Sequence, residues 1–181
     1  MSPEYLKSLG KFISLVLRHK PEVIGIKLDS NGWADVDALI EGTMDKGREI
    51  DLPILEAMVA SDEKQRYTFN EDKTKIRANQ GHSVKVDLGL EPVKPPKVLY
   101  HGTVDRFVGS IMLKGLEPRQ RNHVHLSEDK TTAIDVGERR GDAILFKVFS
   151  GAMYRDGFHF YQSANGVWLT EHVPNKYLDM L

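Results

Sequence analysis

Four arginines and a histidine stand where they could handle an anion. Arg18 and His19 follow one another at the end of an amphipathic stretch, and Arg66 follows Glu63 and Lys64 at the start of a strand-like run. Arg119 and Arg121 share the acid-free stretch Pro118–Ser127 with His123 and His125. A guanidinium is charged at every working pH and can grip two oxygens of one phosphate, while an imidazole can move a proton near neutrality. Each position also has a plainer reading. Cations at a helix C-terminus complement the macrodipole, worth about 0.3–1 kcal/mol each; Arg66 can be a solvated surface arginine; and residues 118–127 can be a solvated loop.

His123 and His125, two apart, would project from one face of a strand, a spacing found in metal sites. No third ligand stands at recognisable spacing, so no metal is expected. Tyr100-His101-Gly102-Thr103 lies where a strand meets a helix. Thr103 is expected as the helix N-cap and Gly102 as a tight turn, and backbone N–H groups exposed there would also suit an amide or a pyrophosphate. Ser127, before Glu128 and Asp129, is open between helix cap and ligand contact.

Composition narrows what these residues serve. The chain has 181 residues, 40% hydrophobic and 28% charged, which marks a folded protein rather than a disordered one. Zero cysteines exclude a disulfide, a zinc–thiolate or iron–sulfur site and a thiol nucleophile. With 25 Lys plus Arg against 26 Asp plus Glu, no bulk field attracts nucleic acid, so any anion must be met by locally placed cations. No 18-residue apolar run occurs and MSPEYLKSLGKF has no leader pattern, so a cytoplasmic protein without a membrane partner is expected.

The elements that must position these groups fall into two lobes. Pro92, Pro95 and Pro96 put three of eight prolines within five residues, marking a stiff linker over 88–97 between a lobe of 1–87 and one of 98–181. In the first, Tyr5, Leu9, Phe12, Ile13 and Val16 recur at helical spacing before Pro21, with Arg18 on the polar face. A short helix is expected over Val36–Glu41 and another behind Asp51 and Pro53. Arg66–Phe69 and Lys75–Arg77 then read as a hairpin across the polar turn 70–74. Helices followed by a hairpin predict a winged-helix-like lobe. The second lobe mixes strands at 98–100, 123–126, 143–149 and 167–169 with helices at 104–114 and 131–139. That pattern predicts an α+β lobe with a split sheet rather than a doubly wound parallel one.

Taken together these segments resemble the NAD+-dependent RNA (tRNA) 2′-phosphotransferase family. The resemblance is carried by Ser14-Leu15-Val16-Leu17-Arg18-His19, Gly32-Trp33, Lys64-Gln65-Arg66-Tyr67 and Ile76-Arg77-Ala78-Asn79-Gln80-Gly81-His82-Ser83. It continues through Leu99-Tyr100-His101-Gly102-Thr103, Arg121-Asn122-His123-Val124-His125-Leu126-Ser127 and Ser163-Ala164-Asn165-Gly166-Val167-Trp168-Leu169-Thr170.

The resemblance implies a winged-helix-like lobe joined to an ADP-ribosyltransferase-like lobe, with the active site between them, acting on an RNA that bears an internal 2′-phosphate, tRNA-like in kind. It implies Arg18, His19, Arg66 and Arg121 as catalytic residues, and His101, Gly102, Thr103, Ser127 and Asn165 as the lining of an NAD+ site. It further implies two steps, through a 2′-phospho-ADP-ribosylated RNA, giving 2′-hydroxyl RNA, nicotinamide and ADP-ribose 1″,2″-cyclic phosphate. A monomer is expected. Two rivals are an ADP-ribosyltransferase of proteins or nucleic-acid ends, which would stop after one step, and a winged-helix regulator that senses a nucleotide. Protein-modifying relatives of the fold commonly carry a glutamate on a late strand where Val167 stands here, although Glu171 lies nearby. The near-neutral first lobe counts against the regulator.

Overall fold

Three side-chain-capped helices and three short strands build residues 1–89. Ser2, Asp35 and Asp51 each turn a side-chain oxygen onto a backbone N–H in the first turn of α1 (Pro3–Arg18), α2 (Val36–Asp45) and α3 (Leu52–Ser61), at 3.2, 2.8 and 2.9 Å. Strands β1 (Ala34–Asp35), β2 (Tyr67–Phe69) and β3 (Lys75–Ala78) pair antiparallel in the order β1-β3-β2, with Ala34 opposite Ile76 and Thr68 opposite Arg77. Leu9, Ile13, Val16 and Leu17 of α1 are fully buried against Leu39, Leu55, Met58 and Ile76. The helical spacing in the sequence therefore forms this core, and α2 continues four residues past the expected end at Glu41.

The computed structural model describes residues 1–181, and its backbone divides into two units, Met1–Gly89 and Leu90–Leu181. In the second, β4 (Leu99–Val104), β6 (Ala143–Val148) and β9 (Leu178–Met180) form one antiparallel sheet in the order β4-β6-β9. A second sheet runs β5-β8-β7, from Val124–Leu126, Trp168–Thr170 and Tyr161–Gln162. Helices α4 (Asp105–Lys114), α5 (Lys130–Glu138) and α6 (Ser150–Arg155) complete it. Leu99, Leu126, Phe146, Met153 and Phe160 are its buried centre. The unit is thus mixed α and β with small antiparallel sheets, and α6, β7 and β9 had no sequence signal.

The proline-rich stretch has no helix or strand and is tied down. The Arg77 guanidinium donates to the Leu88 carbonyl at 3.4 Å, Val93 N–H to the Phe160 carbonyl at 2.8 Å, and Ser150 Oγ to the Pro96 carbonyl at 2.8 Å.

Two expectations at the first strand–helix junction of the second unit are overturned. Strand β4 runs through Gly102 and Thr103 to Val104, so Gly102 is no turn and Thr103 is no cap; the residue capping α4 is Val104, without a side-chain bond. The reason is packing. A Cβ on Gly102 would stand 1.6 Å from the Ala133 carbonyl oxygen, and one on Gly137 2.9 Å from that of Thr103. Helix α5 therefore lies backbone to backbone on β4, and glycine is present to admit it.

Candidate active site

In the first unit, one five-residue segment reaches all three of the expected site residues. Strand β3 delivers the chain to Asn79, whose N–H donates to the Arg66 carbonyl at 2.8 Å and whose amide donates to the Gln65 carbonyl at 2.6 Å. Gln65 has a left-handed backbone, φ 48°, so the buried Asn79 holds an unusual turn in front of Arg66. The Arg66 guanidinium pairs with Asp62 at 2.5 Å, and the same carboxylate accepts from the Arg66 N–H at 2.8 Å.

Arg18, the last residue of α1, is half-buried rather than solvated. Its Nη2 donates to Gln80 Oε1 at 2.9 Å, and Gly81 lies so close that a Cβ there would meet the guanidinium carbon at 3.1 Å. The Arg18 carbonyl, left over at the helix end, accepts from Ser83 N–H at 2.9 Å and Val84 N–H at 3.3 Å. His19 caps the helix and brings Nδ1 to 2.8 Å from Ser83 Oγ. Between these contacts sits His82, 2% exposed, whose Nε2 has no protein partner. Burial, and then the charges of Arg18, Arg77 and His19, push its pKa down to about 4, so it is neutral near pH 7.

The second unit chains three further groups. Arg121 Nη1 donates to His125 Nδ1 at 3.0 Å, and His101 Nδ1 lies 3.1 Å from the His125 carbonyl. A carbonyl only accepts, so Nδ1 of His101 carries the proton and its Nε2 is an acceptor. Burial first, and then Arg119, Arg121 and Arg140, hold the His101 pKa below the usual value despite that bond. Partial desolvation and the charges of Arg140 and Arg139 likewise ease Arg121 below an ordinary arginine.

Ser127 exchanges two backbone bonds with Tyr100, at 2.8 and 2.9 Å, and does not cap α5; Asp129 does, accepting from Thr132 N–H at 2.7 Å. Because Tyr100 faces Ser127 on that edge of β4, strand alternation turns the N–H and C=O of Gly102 to the same edge, away from β6. Asn165 sits in the β7–β8 hairpin, where its side-chain oxygen accepts from Ser163 Oγ at 2.5 Å. Of the two paired histidines, His125 meets Arg121 while the His123 ring packs on Tyr161, 5.8 Å between centroids.

Comparison with known proteins agrees over the whole length. The family model described as RNA 2'-phosphotransferase, Tpt1 / KptA family, matches residues 4–172. The chain belongs to that family. A probable RNA 2'-phosphotransferase of Flavobacterium johnsoniae is 55% identical over 99% of this chain and 98% of its own length. Proteins of the same description in Hahella chejuensis and Fusobacterium nucleatum are 51% and 52% identical, covering 97% and 94% of the chain and 95% and 96% of the relatives.

Within this family member, Asp62, Asn79, Gln80, His82 and Ser83 are the groups that single-residue reasoning missed. Asp62, four residues before Arg66, was detectable as a charge pair. Gln80 and Ser83 were not, since their partners lie 62 and 64 residues away.

Proposed function

We propose that this protein removes an internal 2′-phosphate from RNA by transferring it to NAD+, in two steps. The observation that carries the reading is the pair Arg18 and His19, held side by side by neutral acceptors in a chain that matches RNA 2'-phosphotransferases end to end. A neutral acceptor orients a guanidinium and leaves its full charge for a substrate anion. In this reading residues 1–89 are a winged-helix-like unit and residues 90–181 an ADP-ribosyltransferase-like one.

The residues of the second unit suit the dinucleotide. The edge N–H and C=O of Gly102 match the one acceptor and the donors of a carboxamide, and the neutral His101 offers Nε2 to a ribose hydroxyl. Thr103, Ser127 and Asn165 complete the proposed lining. NAD+, when bound, supplies an anomeric carbon with a neutral leaving group.

Arg18, Arg66 and Arg121 hold the 2′-phosphate oxygens against that carbon. A phosphate oxygen forms the new C–O bond as the C–N bond to nicotinamide breaks, its electron pair neutralising the pyridinium. No proton moves, so positioning suffices. In the second step the neighbouring ribose 2″-hydroxyl attacks phosphorus, losing its proton to water, and the P–O bond to the RNA breaks. His19 donates a proton to that departing oxygen, while the arginines stabilise charge on the phosphoryl oxygens. The products are 2′-hydroxyl RNA and ADP-ribose 1″,2″-cyclic phosphate.

The test mixes purified protein, NAD+ and an oligonucleotide with one internal 2′-phosphate, and identifies all products by mass spectrometry. Dephosphorylation is expected only with NAD+ and to persist in EDTA. Phosphate loss without NAD+, or an adduct that never resolves, would refute the reading.

A further inference from the structure

We infer that Asn79–Ser83 is a positioning clasp for the catalytic cations. Gln80 and Ser83 are its working residues: Gln80 aims the Arg18 guanidinium and Ser83 fixes the His19 ring. The inference rests on the proposed roles of Arg18 and His19.

The contacts divide by function. Asn79 follows β3 and fastens the segment to the Gln65–Arg66 backbone, with its Oδ1 also accepting from Thr68 Oγ1 at 2.6 Å. Gln80 accepts from Arg18 Nη2, and Gly81, at φ +89°, brings bare backbone against the guanidinium face. Only glycine takes that conformation cheaply while leaving room for the arginine. His82 is the anchor on the far side, buried and neutral, close enough to Gly32 that a Cβ there would meet its Nε2 at 3.3 Å.

Ser83 then makes three contacts with the helix end. Its N–H takes the Arg18 carbonyl at 2.9 Å, its hydroxyl lies 3.5 Å from that oxygen, and the same hydroxyl lies 2.8 Å from His19 Nδ1. For a protonated His19, Nδ1–H donates to the Ser83 hydroxyl, which turns its own hydrogen toward the Arg18 carbonyl. The ring is then held through Nδ1, with Nε2–H as its other donor. A serine, rather than a carboxylate, leaves the imidazolium charge in place.

The clasp predicts different consequences for its two working residues. Gln80→Ala should raise KM for 2′-phosphorylated RNA roughly tenfold with little change in kcat, as loss of a bond to a charged group would. Ser83→Ala should leave that KM near the parent's but slow resolution of the ADP-ribosylated RNA roughly fivefold, and Ser83→Thr, which keeps the hydroxyl, should restore it. Independently of activity, the 1H–15N ring correlations of His19 should change in Ser83→Ala, return in Ser83→Thr and stay put in Gln80→Ala.

Suppose Arg18→Ala and His19→Ala abolish activity while Gln80→Ala and Ser83→Ala keep parental constants and ring signals. The clasp is then wrong and the site stands. Should Arg18→Ala and His19→Ala instead stay fully active, the roles proposed for Arg18 and His19 fail while the reaction itself stands, and the ring signals alone decide whether Ser83 holds His19.

Discussion

The two units differ in how their arginines gather: in residues 1–89, Arg48 and Arg77 each stand over a ring of their own, Phe12 and Trp33, both 4.5 Å from the centroid. The ion pairs Arg66–Asp62, Lys73–Glu56 and Lys75–Asp29 lie in that unit, and there Arg18 has Gln80. In residues 90–181 no arginine lies within ion-pair distance of a carboxylate. Arg106, Arg119 and Arg140 instead share one phenyl ring, their guanidinium carbons 5.0, 4.0 and 5.7 Å from the centroid of Phe107. Arg121, beside Arg139 and Arg140, has an imidazole as its partner. The first unit fixes its cations in place, and the second concentrates positive charge that an anion would relieve.

The sharpest way to break this comparison is to remove the residue held most deliberately. His19→Ala should slow resolution of the ADP-ribosylated RNA by roughly 100- to 10,000-fold, the usual contribution of a general acid, while the first step is spared. On a gel with a radiolabelled 2′-phosphate the slower adduct band should accumulate. No accumulation, with substrate consumption slowed instead, would move His19 to the first step.

Acid should loosen the first unit through His82. Its folded pKa of about 4 lies below the ordinary 6.5, so the unfolded chain holds the extra proton between those values. Stability therefore rises as pH climbs from about 4 to 6.5 and is flat in this respect above that. Arg18, Arg77 and His19 are the charges that oppose protonation, after burial itself. The whole penalty, on the order of 3 kcal/mol, is in place below pH 4. His82→Asn should flatten the slope of melting temperature between pH 4.5 and 7, and an unchanged slope would show that another group carries it.

How much of this was legible depended on whether the signal was local. Helices α1 and α3 could be read because their apolar faces lie within a few turns of the Pro21 that follows α1 and the Pro53 in the first turn of α3. Strands β1 and β7, two residues each, exist because distant partners pair with them, and no periodicity fits in two residues. Arg18, His19, Arg66 and Arg121 could be named from type and family resemblance. Their supports could not, because Gln80 and Ser83 are ordinary polar residues until the fold returns them to α1. Gly102 was misread for the same reason: the helix that demands a glycine there begins at Lys130.

A smaller effect tests the second unit. Arg121→Ala should cost the first step about 1.5–3 kcal/mol, as one charge-assisted phosphate contact is lost, and little adduct should form. Adduct forming at the parental rate would return Arg121 to the crowd of exposed arginines around it.

The smallest effect tests the contrast itself, through salt. Glu56 accepts from Lys73 at 2.5 Å on the surface of the first unit, so Glu56→Gln should lose a few tenths of a kcal/mol at low ionic strength and less when screened. Arg106 stands in the first turn of α4, where the helix dipole disfavours a cation, beside the other arginines on Phe107. Removing its charge relieves both repulsions, and both are screened. Arg106→Gln should therefore gain a few tenths at about 0.01 M salt, where the screening length is about 30 Å, and lose that gain near 1 M, where it is about 3 Å. Denaturant melts of the two variants at both salts should give differences from the parent of opposite sign at low salt, each shrinking as salt rises. If both variants lose stability at low salt, the arginines gathered on Phe107 do not repel one another, and the contrast drawn between the two units falls.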